Sequence, residues 1–198
     1  MGAAAGQAGT RRTGFPVRAV VVVLLAGIVG GCAGGASAPL PRTYDLGVAA
    51  PAAQLPAVRV AAVRSVAPFD GVEMHYRLAW RNAAELASFA QSRWAAPPAE
   101  LLRKQLLRAI REGNAKCGLE LEVHEFSQVF ASPGASEARI EFHAALVGPK
   151  GRVAARGWKL TEAQAGADAA SSAGAFARAA DKAVEKIADW VTAQADCR

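Results

Sequence analysis

Three long stretches in the second half of the chain restrict its architecture more than any other feature. Leu119, Leu121 and Val123 alternate with Glu120, Glu122 and His124, and Ile140, Phe142, Ala144 and Leu146 line one face of residues 137–147. A period of two marks a half-buried strand, and residues 152–161 read as a third. Ser132-Pro133-Gly134 and Gly148-Pro149-Lys150-Gly151 separate the three stretches. Connections this short join antiparallel neighbours. The alternation slips near Glu125-Phe126, which points to a bulge or bend. Matching the apolar faces sets Val123 opposite Ala144 and Leu121 opposite Leu146.

Shorter elements precede this unit. Arg42 to Leu46, residues 57–64 and residues 72–80 read as strands, and Ala67-Pro68-Phe69-Asp70-Gly71 has the chemistry of a turn. Residues 85–92 fit a strand or a helical turn equally. A helix starts near Pro97, where a first-turn proline loses no hydrogen bond. Leu102, Leu106, Ala109 and Ile110 form its apolar face, Arg103, Lys104, Arg108 and Arg111 its basic one, and Gly113-Asn114 ends it. A last helix, capped by Ser171 or Ser172, presents Phe176, Ala180, Ala183, Val184, Ile187 and Val191 as a stripe with Trp190 at its edge. The expected class is α+β: a single antiparallel-rich or mixed sheet with two main helices on one face.

The N-terminus carries an address. Arg11, Arg12 and Arg18 precede an apolar run from Ala19 to Val29, and Val29-Gly30-Gly31-Cys32 closes it. The run is shorter than the ~20 apolar residues of a spanning helix. It has the order of a bacterial lipoprotein signal, with small residues giving a peptidase access to the bond before Cys32. The expected division is 1–31 signal peptide, 32–41 lipidated flexible tether and 42–198 folded domain, with Cys32 the lipid-modified residue. The signal arginines supply half of the net charge of +6, so the basic pI is no argument for nucleic-acid binding. No basic patch with interleaved aromatics appears. Cys117 and Cys197 remain as an even pair. In an oxidising compartment they read as a disulfide, the alternative being two buried thiols.

No hydrolase, nucleotide-binding or metalloprotease motif is present. His124 and His143 fall across from each other in the expected register, with Glu122 and Glu141 on the same face. Two histidines and a carboxylate suit zinc, but a solvated polar face with ordinary ion pairs explains them as well, and no metal or other cofactor is assigned. Arg93 and Trp94, just before the first helix, are candidate partner-binding residues; the alternative is that Trp94 staples the helix start to the core. Trp80 and Trp158 pose the same choice.

From about Thr43 to Ala195 the chain resembles the ABC-type transport auxiliary lipoproteins, the PqiC-type family. The resemblance rests on the order and spacing of the lipobox at Cys32, Tyr44-Asp45-Leu46, His75-Tyr76-Arg77, the stretch from Phe89 through Gln91-Ser92-Arg93-Trp94 to Glu100-Leu101-Leu102, Leu119-Glu120-Leu121 with Phe126, and a late Ala-rich helix. The Cys117/Cys197 pair lies outside it. The resemblance implies a non-enzymatic lipoprotein anchored on the periplasmic face of the outer membrane. Such a protein accompanies an ABC permease, its ATPase and a mammalian-cell-entry-type protein that move lipids or hydrophobic compounds, docking the periplasmic conduit. Homo-oligomers are compatible with it. Ala33 after the cysteine, in place of aspartate, fits outer-membrane sorting in enteric bacteria. A lipoprotein that activates a cell-wall synthase on a similar domain is the competing reading; fold alone does not separate the two.

Overall fold

The computed structural model describes residues 40–48, 51, 53–164 and 166–197, together with 2 and 9. Apart from residues 2 and 9 the proposed signal peptide lies outside the described residues, as do Cys32 and all but the last two residues of the proposed tether. Leu40–Arg198 forms one compact unit.

Its elements follow in order as β1 (Arg42–Tyr44), β2 (Arg59–Ser65), β3 (Glu73–Leu78), α1 (Ala79–Asn82), β4 (Ala87–Trp94), α2 (Pro98–Ala109), β5 (Gly118–Ser132), β6 (Ala135–Gly148), β7 (Gly151–Gln164) and α3 (Ala169–Thr192), closed by a 3-10 turn at Ala195–Cys197. The fold is α+β, as its sequence suggests. β5, β6 and β7 form the expected antiparallel meander. Gly151 turns the second hairpin with φ +114°, a conformation glycine adopts without strain.

The rest of the sheet is mixed, because β5 is long enough to take two neighbours on its second edge. β2 runs parallel to its first half, pairing Arg59 with Gly118 and Ser65 with Val123. β3 runs parallel to its second half, from His75 opposite Ser127 to Leu78 opposite Phe130. β4 then pairs antiparallel with β3, and β1 parallel with β4. The ambiguous residues 85–92 thus settle mostly as strand, because β3 and β1 flank them.

The observed register corrects the sequence-based one by two residues. Leu121 faces Ala144, Leu119 faces Leu146 and Val123 faces Phe142. Apolar matching is blind to a shift of two, since every side chain keeps its face. α2 also ends early, at Ala109. Ile110 is extended, and Leu55 takes over the backbone pairing through its N–H to Ala109 O (2.9 Å) and its carbonyl to Arg111 N (3.0 Å). α3 begins before the serines expected to cap it: Asp168 is the cap, accepting from Ser171 N at 2.7 Å, and Ser172 is buried.

One core joins both long helices to the sheet. Leu102, Leu106 and Ala109 of α2 and the whole expected stripe of α3 are buried with Leu119, Leu121, Val123, Ile140, Phe142 and Leu146. The alanines of α3 let the helix settle close to β6 and β7. Ala175, Ala179 and Ala180 are fully covered. A disulfide joins Cys117 to Cys197 with 5.3 Å between their Cα atoms, tying the C-terminal turn to the start of β5.

Candidate functional site

The sheet face away from the core carries the charged residues, and a bulge in β5 arranges them. Val123 and Phe126 both reach the core although three positions apart. This requires an extra residue between them, and the register shifts at His124. The bulge lies one residue before the expected slip. His124 and Glu125 are therefore both left off the core face.

Glu125 receives the guanidinium of Arg77 from β3, with its two oxygens 3.4 and 3.0 Å from Nε and Nη2. This pair is largely sheltered, its side chains 20% and 15% exposed. Glu122 receives Arg64 Nε from β2 at 2.5 Å. Its other oxygen lies 3.0 Å from His124 Nε2, at ion-pair distance but out of line for a hydrogen bond. The Arg64 hydrogen bond, and after it the charges of Arg64, His124 and His143, hold the Glu122 carboxyl below the usual carboxylate range.

His143 pairs with Glu122 across β5 and β6 and brings its ring to 4.7 Å from that of His124, tilted by 52°. Its imidazole lies over the backbone of Gly157 in β7. A Cβ at Gly157 would stand 2.6 Å from His143 Cδ2, so only glycine leaves the ring this place. The result is a concavity of about 420 Å³ bordered by Arg64, Glu122, His143, Arg152, Arg156 and Gly157.

The expected grouping is thus partly assembled. His124, His143 and Glu122 come together, whereas Glu141 stands opposite Glu125 and pairs with Lys159 at 3.4 Å. Arg64 already holds one Glu122 oxygen. Among the described residues no three His, Cys, Asp or Glu side chains converge as metal ligands. What the face offers is a set of paired charges bordering the concavity. Arg64 and Gly157 had no part in the sequence reading. An isolated glycine inside an alternating strand was the available signal, since it often marks a close approach.

Of the two candidate partner-binding residues, Arg93 is at the surface, its Nε 3.3 Å from Thr43 Oγ1. Trp94 is not. It is 1% exposed, set edge-on to Phe126 and Phe176 with ring centroids 5.4 and 5.2 Å away. Alternation along β4 turns Arg93 outward and Trp94 inward, so Trp94 joins the core and cannot meet a partner directly. Trp158 stacks on Phe142 and abuts Trp190. Trp80, in α1, is half exposed with the Arg81 guanidinium 5.8 Å from its ring centroid.

No family model and no curated protein matches the sequence. Solved structures do match in shape. The crystal structure of protein XCC0632 from Xanthomonas campestris, a DUF330 protein, aligns with a TM-score of 0.61 and 21% identity over 77% of this chain and 92% of its own. A second crystal structure, of an uncharacterized protein, aligns with a TM-score of 0.60 and 15% identity over 77% of this chain and 99% of its own. At these identities the likeness is one of fold, and the chain shares its α+β architecture with a DUF330 protein.

Proposed function

We propose that the chain is an exported lipoprotein, acylated at Cys32 and held at the periplasmic face of the outer membrane, which serves an ABC/mammalian-cell-entry-type transport system as a docking component. The observation that carries the export half is the pairing of two features far apart in sequence. The N-terminal segment ends in a lipobox, and Cys117 and Cys197 are joined, as disulfides are in oxidising compartments outside the cytoplasm. The transport half rests on the family resemblance between Thr43 and Ala195. A binding role rather than catalysis fits the outer face, where Glu122, Glu125 and Glu141 are each engaged by a basic side chain.

The test is recovery of partners from the native envelope by crosslinking and mass spectrometry, with the Cys32→Ala chain as control. A mammalian-cell-entry-type protein and its permease should co-purify with the native chain, and the control should lose the acyl group and the outer-membrane fraction. Recovery of a cell-wall synthase without transporter subunits would overturn the transport role. An unmodified Cys32 in the native chain would overturn the anchor.

A further inference from the structure

The segment that enters the domain lies along α2. Asp45 Oδ2 sits 3.7 Å from Lys104 Nζ, Leu46 O accepts from Gln105 Nε2 at 3.4 Å, and Gly47 O accepts from Arg108 Nη1 at 3.0 Å. Leu46 turns into the core, while the next side chain outward, Val48, is 87% exposed. On the helix, burial of Leu101, Leu102, Gln105, Leu106 and Ala109 leaves Arg103, Lys104, Leu107 and Arg108 outside. Leu107 is 47% exposed in the middle of them.

The arginines here keep their charge unbalanced. Arg108 donates to the Gly47 carbonyl and to Gln105 Oε1, and Arg111, just past the helix, donates to Gln54 Oε1 at 2.7 Å. These acceptors are neutral. Among the described residues no carboxylate lies within ion-pair distance of Arg103, Arg108 or Arg111. Of the surface cations on α2, Lys104 alone has an acid, Asp45.

We propose that this face, formed by α2 with Leu107 and the adjoining Val48, rests on an anionic phospholipid surface. The guanidiniums meet lipid phosphates, and the two apolar side chains enter the boundary between headgroups and acyl chains. The inference rests on the reading of Cys32 as the lipid anchor. Only seven residues, eight Cα–Cα steps, separate Cys32 from Leu40, where the compact unit begins. Fully extended they reach about 28 Å, so the anchor holds the domain against the bilayer. The face that combines unpaired cations with bare apolar side chains is the one suited to lie there.

The test uses the 40–198 unit, which has its own core, and vesicles of phosphatidylcholine alone or mixed with phosphatidylglycerol, read by co-sedimentation. The unit should bind the mixed vesicles, and bind them less at high salt. The R103Q/R108Q/R111Q variant should lose on the order of 100-fold in partitioning, at about fivefold per arginine. L107S should weaken binding at constant charge. R59Q/K150Q/K186Q removes the same charge elsewhere and should bind like the parent, with circular dichroism verifying that all variants fold. Equal binding to both vesicle types, an unaffected arginine variant, or an equal loss in the second triple variant would overturn the inference. Cys32 acylation is read separately, by mass spectrometry of the full chain from its envelope. An acylated chain whose domain ignores phosphatidylglycerol refutes the surface contact and leaves the lipoprotein reading standing. A domain that binds while Cys32 carries no lipid refutes the anchor instead.

Discussion

Breaking the Cys117–Cys197 bridge should remove a large share of this domain's stability, and the loss follows from the loop it closes. The two cysteines are 80 residues apart, and β5, β6, β7 and α3 all lie between them. In the chain-entropy account a loop of that length restricts the unfolded chain by about 4.5 kcal/mol at 25 °C. Measured bridges usually deliver less, so a loss of about 3 kcal/mol is expected for Cys117→Ala/Cys197→Ala. For a domain of this size that corresponds to roughly 6–12 °C in Tm. The assay is urea unfolding followed by circular dichroism, with the two single variants alongside. Either single substitution should cause nearly the whole loss and the second should add little, because half a bridge does not crosslink. The urea slope should also rise in the double variant, since an uncrosslinked unfolded chain exposes more surface. An unchanged midpoint and slope in the double variant would refute the reasoning. So would two single losses that simply add, which would point to packing of buried thiols instead.

Trp94→Ala should destabilise by about 3–5 kcal/mol through the cavity left beside Phe126 and Phe176; a loss below 1 kcal/mol in denaturant titration would restore it as a surface residue. Asp168→Ala should cost about 1 kcal/mol and speed hydrogen exchange at the Ser171 amide, whereas Asp168→Asn should not; identical exchange in the two variants would deny the cap. Gly157→Ala should displace the His143 ring, visible in its NMR shifts, and any stability loss should vanish in a His143→Ala background; additive losses would mean that the ring does not occupy the glycine's place. Lys182, and after it Arg178, hold the Glu162 carboxyl below its ordinary 4.5. A carboxyl depressed in the folded state stabilises fully above the unfolded value and loses that contribution as pH falls through the folded one. The native chain should therefore lose stability more steeply below about pH 4.5 than Glu162→Gln; parallel urea-midpoint curves for the two chains would rule the pair out as a source of the acid sensitivity.

Much of the fold was legible because it depends on local periodicity. Alternation from Leu119 and from Ile140 specified two strands and their core faces, and two short turns specified the antiparallel meander. The helical stripe from Phe176 to Val191 was buried as a set. The expectation of a signal peptide before Cys32 also comes from residue order alone, and it lies outside the described residues. What local patterns could not supply is position relative to distant segments. The register between β5 and β6 moved by two residues, because apolar alternation is unchanged by such a step. α2 stops at Ala109 because Leu55, far back in the chain, captures the backbone there, which Gly113-Asn114 could not reveal.

The candidate site divides the same way. Sequence placed His124, His143 and Glu122 on one polar face, since same-face membership follows from alternation. It could not bring Arg64 to Glu122, because that contact exists only where β2 lies parallel to β5. Nor could it assign Gly157 to the His143 ring, which needs β7 in register beside β6. Trp94 shows the limit most plainly. An exposed anchor and a core staple require the same residue, and the packing of Phe126 and Phe176 around it decides between them. By itself, the sequence determined periodicity and the faces of strands and helices. Tertiary structure alone decided register, pairing partners and which aromatic side chains are inside, because those depend on contacts between segments that local residue order does not encode.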